Sequence, residues 1–198
     1  LNDFVNLSFK NKAMALTSST MMPLGTVAPP FQLLDVISER TYSLNDLKSD
    51  KATVIMFVCN HCPYVKHVQS ELVKMAEDYI PEGVKFIAIS SNDVENYPED
   101  SPELMREEAK KWGYPFPYLY DETQIVAKAY DAACTPDFYI FDSGMKLIYR
   151  GQLDDSRPGN EKPLTGKDLR GALDDYLKGN PITEDQIPSQ GCNIKWRD

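Results

Sequence analysis

The chain has 198 residues, 42% of them hydrophobic and 26% charged, with a formal net charge of −9 at pH 7. This length and composition predict one well-filled globular domain and argue against a disordered or fibrous protein. The acidic balance argues against nucleic-acid binding, which requires clustered Lys and Arg, and the absence of a run of about 18 apolar residues argues against a membrane span.

The beginning of the chain predicts an arm followed by a β-hairpin. Residues 1–24 show no periodicity, so we expect an extended arm there. Short strands over 31–36 and 41–42 flank a turn and predict an antiparallel pair. Ser43 has the residue type and position of an N-cap for a short helix over 44–47.

A βαβ unit comes next. The continuous apolar run 53–58 predicts a central strand that is buried on both faces. An apolar stripe at helical spacing over 65–79 predicts a helix, and 84–89 predicts the next buried strand. Such a unit predicts a parallel pair of strands.

The second half of the chain predicts alternating helices and strands. The acidic run 93–108 is interpreted as a solvated loop and helix face. We expect a loop over 92–101, helices over 101–112 and 122–130, strands over 118–120, 137–141 and 146–149, and a helix over 167–177 capped by Thr165, followed by an irregular tail. The order predicts an α/β fold with a central mixed sheet flanked by helices and an N-terminal β-hairpin. The expected organisation is an arm (1–24), one domain (25–180) and a tail packed on it (181–198).

Two cysteines separated by two residues follow the central strand, in the order Cys59, Asn60, His61, Cys62 and Pro63. Two intervening residues at a helix start bring both sulfurs within disulfide reach. The unpaired N–H groups and dipole of the helix N-terminus stabilise a thiolate. We therefore expect Cys59 to attack and Cys62 to resolve the mixed disulfide. A protonated His61 would tune the Cys59 thiolate, and Pro63 would set the helix start.

Other interpretations of the pair stay open. Zinc would require a second pair of ligands, whereas Cys134 and Cys192 are single and His67 lies a turn along the same helix. Two inert structural thiols would be typical of apolar surroundings. We expect no metal and no cofactor beyond the dithiol. Cys134 and Cys192 are candidates for additional redox thiols, for a disulfide with each other, or for packing residues.

These residues resemble the thioredoxin superfamily. The likeness lies in the strand-Cys-x-x-Cys-Pro-helix unit, in the opening 28–33, and in Thr135-Pro136 directly before a strand. The resemblance implies a thioredoxin-like fold and a cis-proline at Pro136. It also implies that Thr135 offers main-chain hydrogen bonds to an incoming partner, with Asn60 and Pro63 beside it.

The segments 59–64, 150–158 and 191–196 resemble peroxiredoxin-like thioredoxin-family proteins, relatives of alkyl hydroperoxide reductase and thiol-specific antioxidant (AhpC/TSA). Peroxiredoxins carry Pro and Thr or Ser ahead of the peroxidatic Cys. Aligned on Cys62, those positions are Ile55 and Cys59 here, and Pro136 stands where an Arg is found. The resemblance therefore implies thiol–disulfide exchange ahead of peroxidase activity.

The expected function is a thiol–disulfide oxidoreductase acting on a disulfide- or dithiol-bearing protein or a small thiol. A thiol peroxidase and a non-catalytic binding or redox-sensor module are the alternatives. The first twenty residues lack the apolar core of a signal peptide, so we expect a cytoplasmic protein. Because the sequence begins with Leu1, prior removal of an export segment stays open.

Overall fold

The computed structural model describes residues 16–197, which form one large sheet, one small sheet and the helices that cover them. The strands are β1 (Leu16–Ser18), β2 (Gln32–Asp35), β3 (Arg40–Ser43), β4 (Thr53–Phe57), β5 (Lys85–Ser90), β6 (Tyr118–Tyr120), β7 (Cys134–Thr135), β8 (Asp137–Phe141), β9 (Leu147–Gly151) and β10 (Gln190–Asn193). The α-helices are α1 (Leu44–Leu47), α2 (Pro63–Tyr79), α3 (Pro102–Trp112), α4 (Ile125–Ala129) and α5 (Lys167–Lys178), and a 3-10 turn spans Pro98–Asp100. The first fifteen residues of the predicted arm lie outside the described residues.

The large sheet has seven strands in the order β3-β2-β6-β5-β4-β8-β9. Strand β4 pairs in parallel with β5 and antiparallel with β8, so the predicted mixed sheet is confirmed. The predicted N-terminal hairpin is confirmed as the antiparallel pair β2–β3. Strands β8 and β9, which correspond to the strands predicted over 137–141 and 146–149, also pair antiparallel.

Strand β4 lies at the centre because both of its faces are apolar. Val54 and Met56 pack into the core beneath α2 and α5, whereas Ile55 and Phe57 pack into the core on the opposite face. All four side chains are at most 1% exposed. Each buried aliphatic or aromatic side chain contributes about 1.5–3 kcal/mol, so this strand fixes the middle of the fold.

Two helix starts differ from the prediction. Helix α5 is capped at Gly166, not at Thr165, because Asp154 Oδ2 accepts from the backbone N–H groups of Thr165 (2.7 Å) and Gly166 (2.6 Å). Helix α4 begins at Ile125, later than predicted, because Gln124 has a left-handed backbone (φ 62°). By contrast, the predicted cap at Ser43 is confirmed as a capping box with Asp46.

The small sheet corrects the prediction of an irregular tail. Strand β10 pairs antiparallel with β1 on one side and with β7 on the other, in the order β1-β10-β7. A Cβ added at Gly191 would clash with the backbone carbonyl of Thr135, so only glycine allows this approach. Among residues 16–197, no helix is long and apolar enough to span a bilayer.

Candidate active site

The Cys59–Cys62 segment joins the end of β4 to the start of α2. Strand β4 ends at Phe57, two residues earlier than Cys59, and Cys62 is the N-cap of α2 rather than a residue of its first turn. Pro63 occupies the first helical position, as predicted, where its missing N–H has no intrahelical partner to lose. Both cysteines are buried and free, with Cys62 fully enclosed.

Thr135 contacts both sulfurs of the pair. Cys59 Sγ lies 3.4 Å from Thr135 Oγ1, and Cys62 Sγ lies 3.2 Å from the Thr135 carbonyl oxygen. The peptide bond between Thr135 and Pro136 is cis. The structure therefore brings together Cys59, Cys62 and the Thr135–Pro136 segment, which the sequence separates by more than seventy positions.

A third cysteine lies against the pair. Cys192, in β10, places its sulfur 2.8 Å from Cys62 Sγ, and its Cα is paired with that of Thr135 in the small sheet. Cys62 thus has Cys59 on one side and Cys192 on the other. The sequence makes Cys192 a candidate redox thiol, but no pattern in it predicts that Cys192 contacts Cys62.

The surroundings of the three sulfurs shift their pKa values in different directions. Hydrogen bonds from the thiols of Cys192 and Cys59, with further ones from the backbone N–H groups of Val65 and Cys192, lower the pKa of Cys62. Burial, followed by the interaction with Cys62 and the charge of Asp100, raises the pKa of Cys59. The hydrogen bond to Cys62, followed by burial, raises the pKa of Cys192.

Asp100 is the site residue that the sequence did not reveal. Its carboxylate is fully buried, although the run 93–108 was interpreted as solvated. Oδ1 accepts from the backbone N–H of Asn60 (2.7 Å) and of His61 (3.2 Å), and Oδ2 from His61 Nδ1 (2.6 Å) and Asn92 Nδ2 (2.8 Å). The 3-10 turn, which the loop prediction omitted, carries this carboxylate under the dithiol loop.

Asp100 changes the expected role of His61. Since a carboxylate only accepts hydrogen bonds, His61 Nδ1 carries the hydrogen in this contact. The imidazole also stacks on Tyr97 with ring centres 5.3 Å apart. His61 is therefore held in place by two groups, and the neighbouring charge that acts on Cys59 is the carboxylate, which raises its pKa.

Asn60 is engaged within the protein. Its side chain accepts from the hydroxyl of Tyr118 (3.1 Å) and donates to the Glu99 carbonyl (2.9 Å). Together with the backbone bond to Asp100, these contacts fix the loop that carries Cys59. A loop fixed in this way holds its thiol in one geometry.

Cys59, His61 and Asp100 form the one cluster of potential metal ligands found among the described residues. Asp100 already accepts four hydrogen bonds, which is about its full capacity, so it is a poor ligand in this arrangement. His61 Nε2 is buried and has no hydrogen-bond partner in the described part of the chain. The three side chains fit a positioned thiol better than a metal site.

Cys134 contacts backbone carbonyls rather than the other thiols. Its sulfur lies 3.7 Å from the Pro136 carbonyl oxygen and 4.0 Å from that of Ser189. Burial raises the pKa of Cys134, which favours an inert, protonated thiol. Its surroundings are those of a packing residue.

A buried ion pair lies behind the site. Asp137, the first residue of β8, contacts Arg150 of β9 at 3.2 Å, and both side chains are fully buried. Arg150 also donates to Thr20 Oγ1 (2.9 Å) and to the Asp131 carbonyl (2.6 Å). Burial outweighs the Arg150 charge and raises the pKa of Asp137 to about 6. The pair links the large sheet to the segment after β1.

The chain is similar to an uncharacterized conserved protein from Geobacillus kaustophilus, with 64% identity over 93% of this chain and 98% of that one, and a TM-score of 0.92. A hypothetical protein from Sinorhizobium meliloti has 46% identity over 91% of this chain and 98% of its own, with a TM-score of 0.89. The thioredoxin domain of a thiol-disulfide oxidoreductase from Bacteroides vulgatus, at 18% identity, covers 79% of this chain and 99% of its own, with a TM-score of 0.62.

The last of these structures shows that the fold is thioredoxin-like, as the sequence predicted. No curated protein matches the chain. The sequence model of the AhpC/TSA family matches residues 24–150, which is more than half of the chain and includes the dithiol, Thr135 and Pro136. The chain therefore belongs to the AhpC/TSA family.

Proposed function

We propose that this protein is a thiol–disulfide oxidoreductase that uses Cys59 and Cys62 as its dithiol–disulfide couple. The observation that carries the proposal is the contact of both sulfurs with Thr135, at the junction of β4 and α2. A helix N-terminus stabilises a thiolate, and the Thr135–Pro136 segment supplies a backbone edge beside it for a bound partner. The thioredoxin-like fold and the AhpC/TSA family support the same class of chemistry.

The proposed reaction begins at Cys59. The thiol proton of Cys59 passes to solvent, and the Cys59 thiolate attacks one sulfur of a substrate disulfide, whose other sulfur leaves as a thiolate and takes up a proton. The thiolate of Cys62, which the lowered pKa of that thiol favours, then attacks the Cys59 sulfur of the mixed disulfide. The second substrate sulfur leaves, and a Cys59–Cys62 disulfide remains. A dithiol-bearing protein or a small thiol returns the couple to its reduced state.

The neighbouring residues act by positioning. Asp100 and Asn60 fix the loop that carries Cys59, and His61 lies between the two thiols with its ring held by Asp100 and Tyr97. Thr135 and Pro136 orient the partner, and Pro63 sets the start of α2. We propose no cofactor, no bound metal and no nucleic-acid or membrane partner, and we propose the cytoplasm as the compartment.

The test is reduction of a protein disulfide by the reduced protein, with insulin as the substrate and dithiothreitol as the terminal reductant. We expect a rate well above that of dithiothreitol alone, and its loss in Cys59→Ser and in Cys62→Ser. Cys134→Ala is the matched control and should keep the rate, because the Cys134 sulfur contacts the carbonyl oxygens of Pro136 and Ser189 rather than a thiol of the site. Equal rates in wild type and both serine variants would refute the proposal.

A thiol peroxidase is the second candidate, and the match to the AhpC/TSA family is the observation that favours it. In that reaction a thiolate attacks the peroxide, giving a sulfenic acid and an alcohol or water. The positions expected for Pro and Thr are occupied by Ile55 and Cys59, which weakens this candidate. Peroxide consumption that depends on Cys62, without insulin reduction, would favour it over the oxidoreductase. Neither activity, together with one tightly bound metal per chain, would favour a binding or sensor module.

A further inference from the structure

We propose that Cys192 is a third redox thiol of this site and that it exchanges with Cys59 for the bond to Cys62. The inference deepens the proposed function and rests on the Cys59–Cys62 couple. It assigns to the oxidised protein two interchangeable disulfides, Cys59–Cys62 and Cys62–Cys192. A cysteine of the small sheet thereby enters the chemistry of a dithiol carried by the large sheet.

The sulfurs of Cys62 and Cys192 lie close to bonding distance. The sulfurs of Cys62 and Cys192 lie 2.8 Å apart, compared with about 2.05 Å in a disulfide bond, so bond formation requires less than 1 Å of approach. Cys62 interacts with both other thiols, and each of the three affects the ionisation of its neighbour. Cys62 is thus the central sulfur of the three.

The backbone of the small sheet fixes the position of Cys192. Strand β10 pairs with strands on both sides, and the absence of a side chain at Gly191 lets it approach Thr135. Beyond the strand, the Lys195 backbone donates to Asn92 Oδ1 (2.8 Å) and accepts from the Asp93 N–H (2.8 Å). The sulfur of Cys192 is therefore presented to Cys62 by an anchored segment.

The exchange between the two disulfides balances without an added reactant. Starting from the Cys59–Cys62 disulfide, the Cys192 thiolate attacks Cys62 Sγ, and the bond between Cys59 and Cys62 breaks with its electron pair on Cys59. The proton released by Cys192 ends on Cys59. One disulfide is consumed and one is formed, so no oxidant or reductant is required.

The exchange has a consequence for the reaction cycle. With the disulfide at Cys62–Cys192, Cys59 is a thiol again while the protein stays oxidised. Cys59 is the thiol carried by the loop that includes the partly exposed Asn60 and His61. Cys59 of the oxidised protein can then form a mixed disulfide with a second substrate disulfide, whose other sulfur leaves as a thiolate. Since Cys62 is bonded to Cys192, an external thiol must release that mixed disulfide.

The experiment uses the full chain with Cys59→Ser, which removes the competing disulfide but keeps a hydroxyl near Thr135. The reduced variant is treated with diamide, its remaining thiols are alkylated in denaturant, and its tryptic peptides are analysed without reduction. We expect residues 52–66, which hold Cys62, to be linked to residues 179–195, which hold Cys192. The three thiols of this variant should fall to one per chain.

Two matched variants make the result specific. Cys59→Ser combined with Cys192→Ser should give no link within one chain, and Cys59→Ser combined with Cys134→Ala should keep the 52–66 to 179–195 link. Retention of all three thiols in Cys59→Ser, or a link from 52–66 to residues 129–146, which hold Cys134, would overturn the inference. Circular dichroism verifies that each variant is folded, and the fraction of the same link in oxidised wild type provides a second measurement if Cys59→Ser does not fold.

Failure of the inference is distinguishable from failure of the proposed function. Insulin reduction by wild type that depends on Cys59 and Cys62, without any Cys62–Cys192 link, would leave the oxidoreductase intact and remove only the third thiol. A Cys62–Cys192 link in a wild-type protein that reduces no disulfide would remove the proposed function while retaining the thiol pair.

Discussion

The two sheets of this protein differ in how they are made and in what they supply to the site. The seven-stranded sheet is built from strands with apolar residues on one or both faces, and its centre carries Cys59 and Cys62 at the end of β4. The three-stranded sheet joins short segments from distant parts of the chain, and it supplies Thr135 and Cys192. The large sheet thus provides the dithiol, and the small sheet provides the two residues that contact it, Thr135 and Cys192.

The stability of the protein and the chemistry of its site depend on different sheets. Strand β4 is held by burial on both faces, which is a large and non-directional contribution. The small sheet depends on a close backbone approach at Gly191 and on hydrogen bonds, and such contacts tolerate little change of shape. We therefore expect changes at the junction of the sheets to affect the whole fold and changes within the small sheet to affect the site.

Arg150→Met should produce the largest effect, because Arg150 connects the large sheet to the segment after β1. The substitution leaves the buried Asp137 carboxylate unpaired and removes the bonds to Thr20 and Asp131. Breaking a buried ion pair costs about 3–5 kcal/mol of unfolding free energy. Urea unfolding of wild type and variant at pH 8 measures this loss. Lys74→Met is the control, since the exposed contact of Lys74 with Asp78 contributes about 0–1 kcal/mol, and an equal loss in both variants would contradict the prediction.

The contribution of Asp137 to the unfolding free energy should depend on pH. Burial raises the pKa of Asp137 to about 6 in the folded protein, against 3.8 without that burial. The folded state therefore holds the proton more tightly, so this contribution is fully present below pH 4 and is lost as the pH rises to about 6. The loss amounts to about 3 kcal/mol. The measurement is the unfolding free energy of wild type minus that of Asp137→Asn. We expect this difference to decrease from pH 4 to pH 7. A difference that does not change with pH would mean that the charge of Arg150 fully offsets the cost of ionising the buried carboxylate.

Gly191→Ala tests the small sheet alone. The added Cβ meets the Thr135 carbonyl, so β10 must move away from β7, at a cost of about 1–3 kcal/mol. The movement also separates Cys192 from Cys62, and we expect faster alkylation of Cys192 together with a lower melting temperature. Gly171→Ala in α5 is the matched control, because nothing lies within 4 Å of its added Cβ and Ala stabilises a helix by about 0.5–1 kcal/mol. Unchanged alkylation in Gly191→Ala would show that β10 does not depend on this contact.

The smallest expected effect is at Asp100, on the large-sheet side of the site. Its negative charge contributes to the raised pKa of Cys59, so Asp100→Asn should lower that pKa and make the thiol more reactive. In a Cys62→Ser background, we expect several-fold faster alkylation of Cys59 by iodoacetamide at pH 7, measured on the 52–66 peptide. Asp155→Asn, which neutralises an exposed carboxylate outside the dithiol site, is the control. A slower reaction in the Asp100 variant would indicate that His61, and not the carboxylate, dominates the charge at Cys59.

The sequence predicts the large sheet well because its signals are local. The apolar run at β4, the Ser43 cap and the Pro at the start of α2 each act within a few residues, and the parallel pairing of β4 and β5 follows from the helix between them. Among the predicted helix caps, the one at Thr165 is wrong for a reason that the structure shows. The backbone N–H groups of Thr165 and Gly166 donate to Asp154, eleven residues earlier than Thr165, and a local pattern cannot report an acceptor at that separation.

The sequence predicts half of the candidate site. It places Cys59 and Cys62 at a helix start and brings Thr135 and Pro136 to them through the resemblance to thioredoxins. It does not predict Asp100 or the position of Cys192. Asp100 stands in an acidic run whose composition indicates solvent, and only the 3-10 turn directs that carboxylate inward. Cys192 reaches Cys62 across 130 positions through a strand that contains a glycine and shows no apolar alternation.

The long separation between Cys62 and Cys192 also sets an order of events during synthesis. A ribosome that adds about 5–20 residues per second needs on the order of ten seconds to pass from the first of these cysteines to the second, which lies 130 positions later. During that interval the nascent chain holds Cys59 and Cys62 without β10 beside them. The site of the nascent chain thus contains two thiols before Cys192 is added, and an oxidant that reaches it at this stage meets Cys59 and Cys62 without Cys192 beside them.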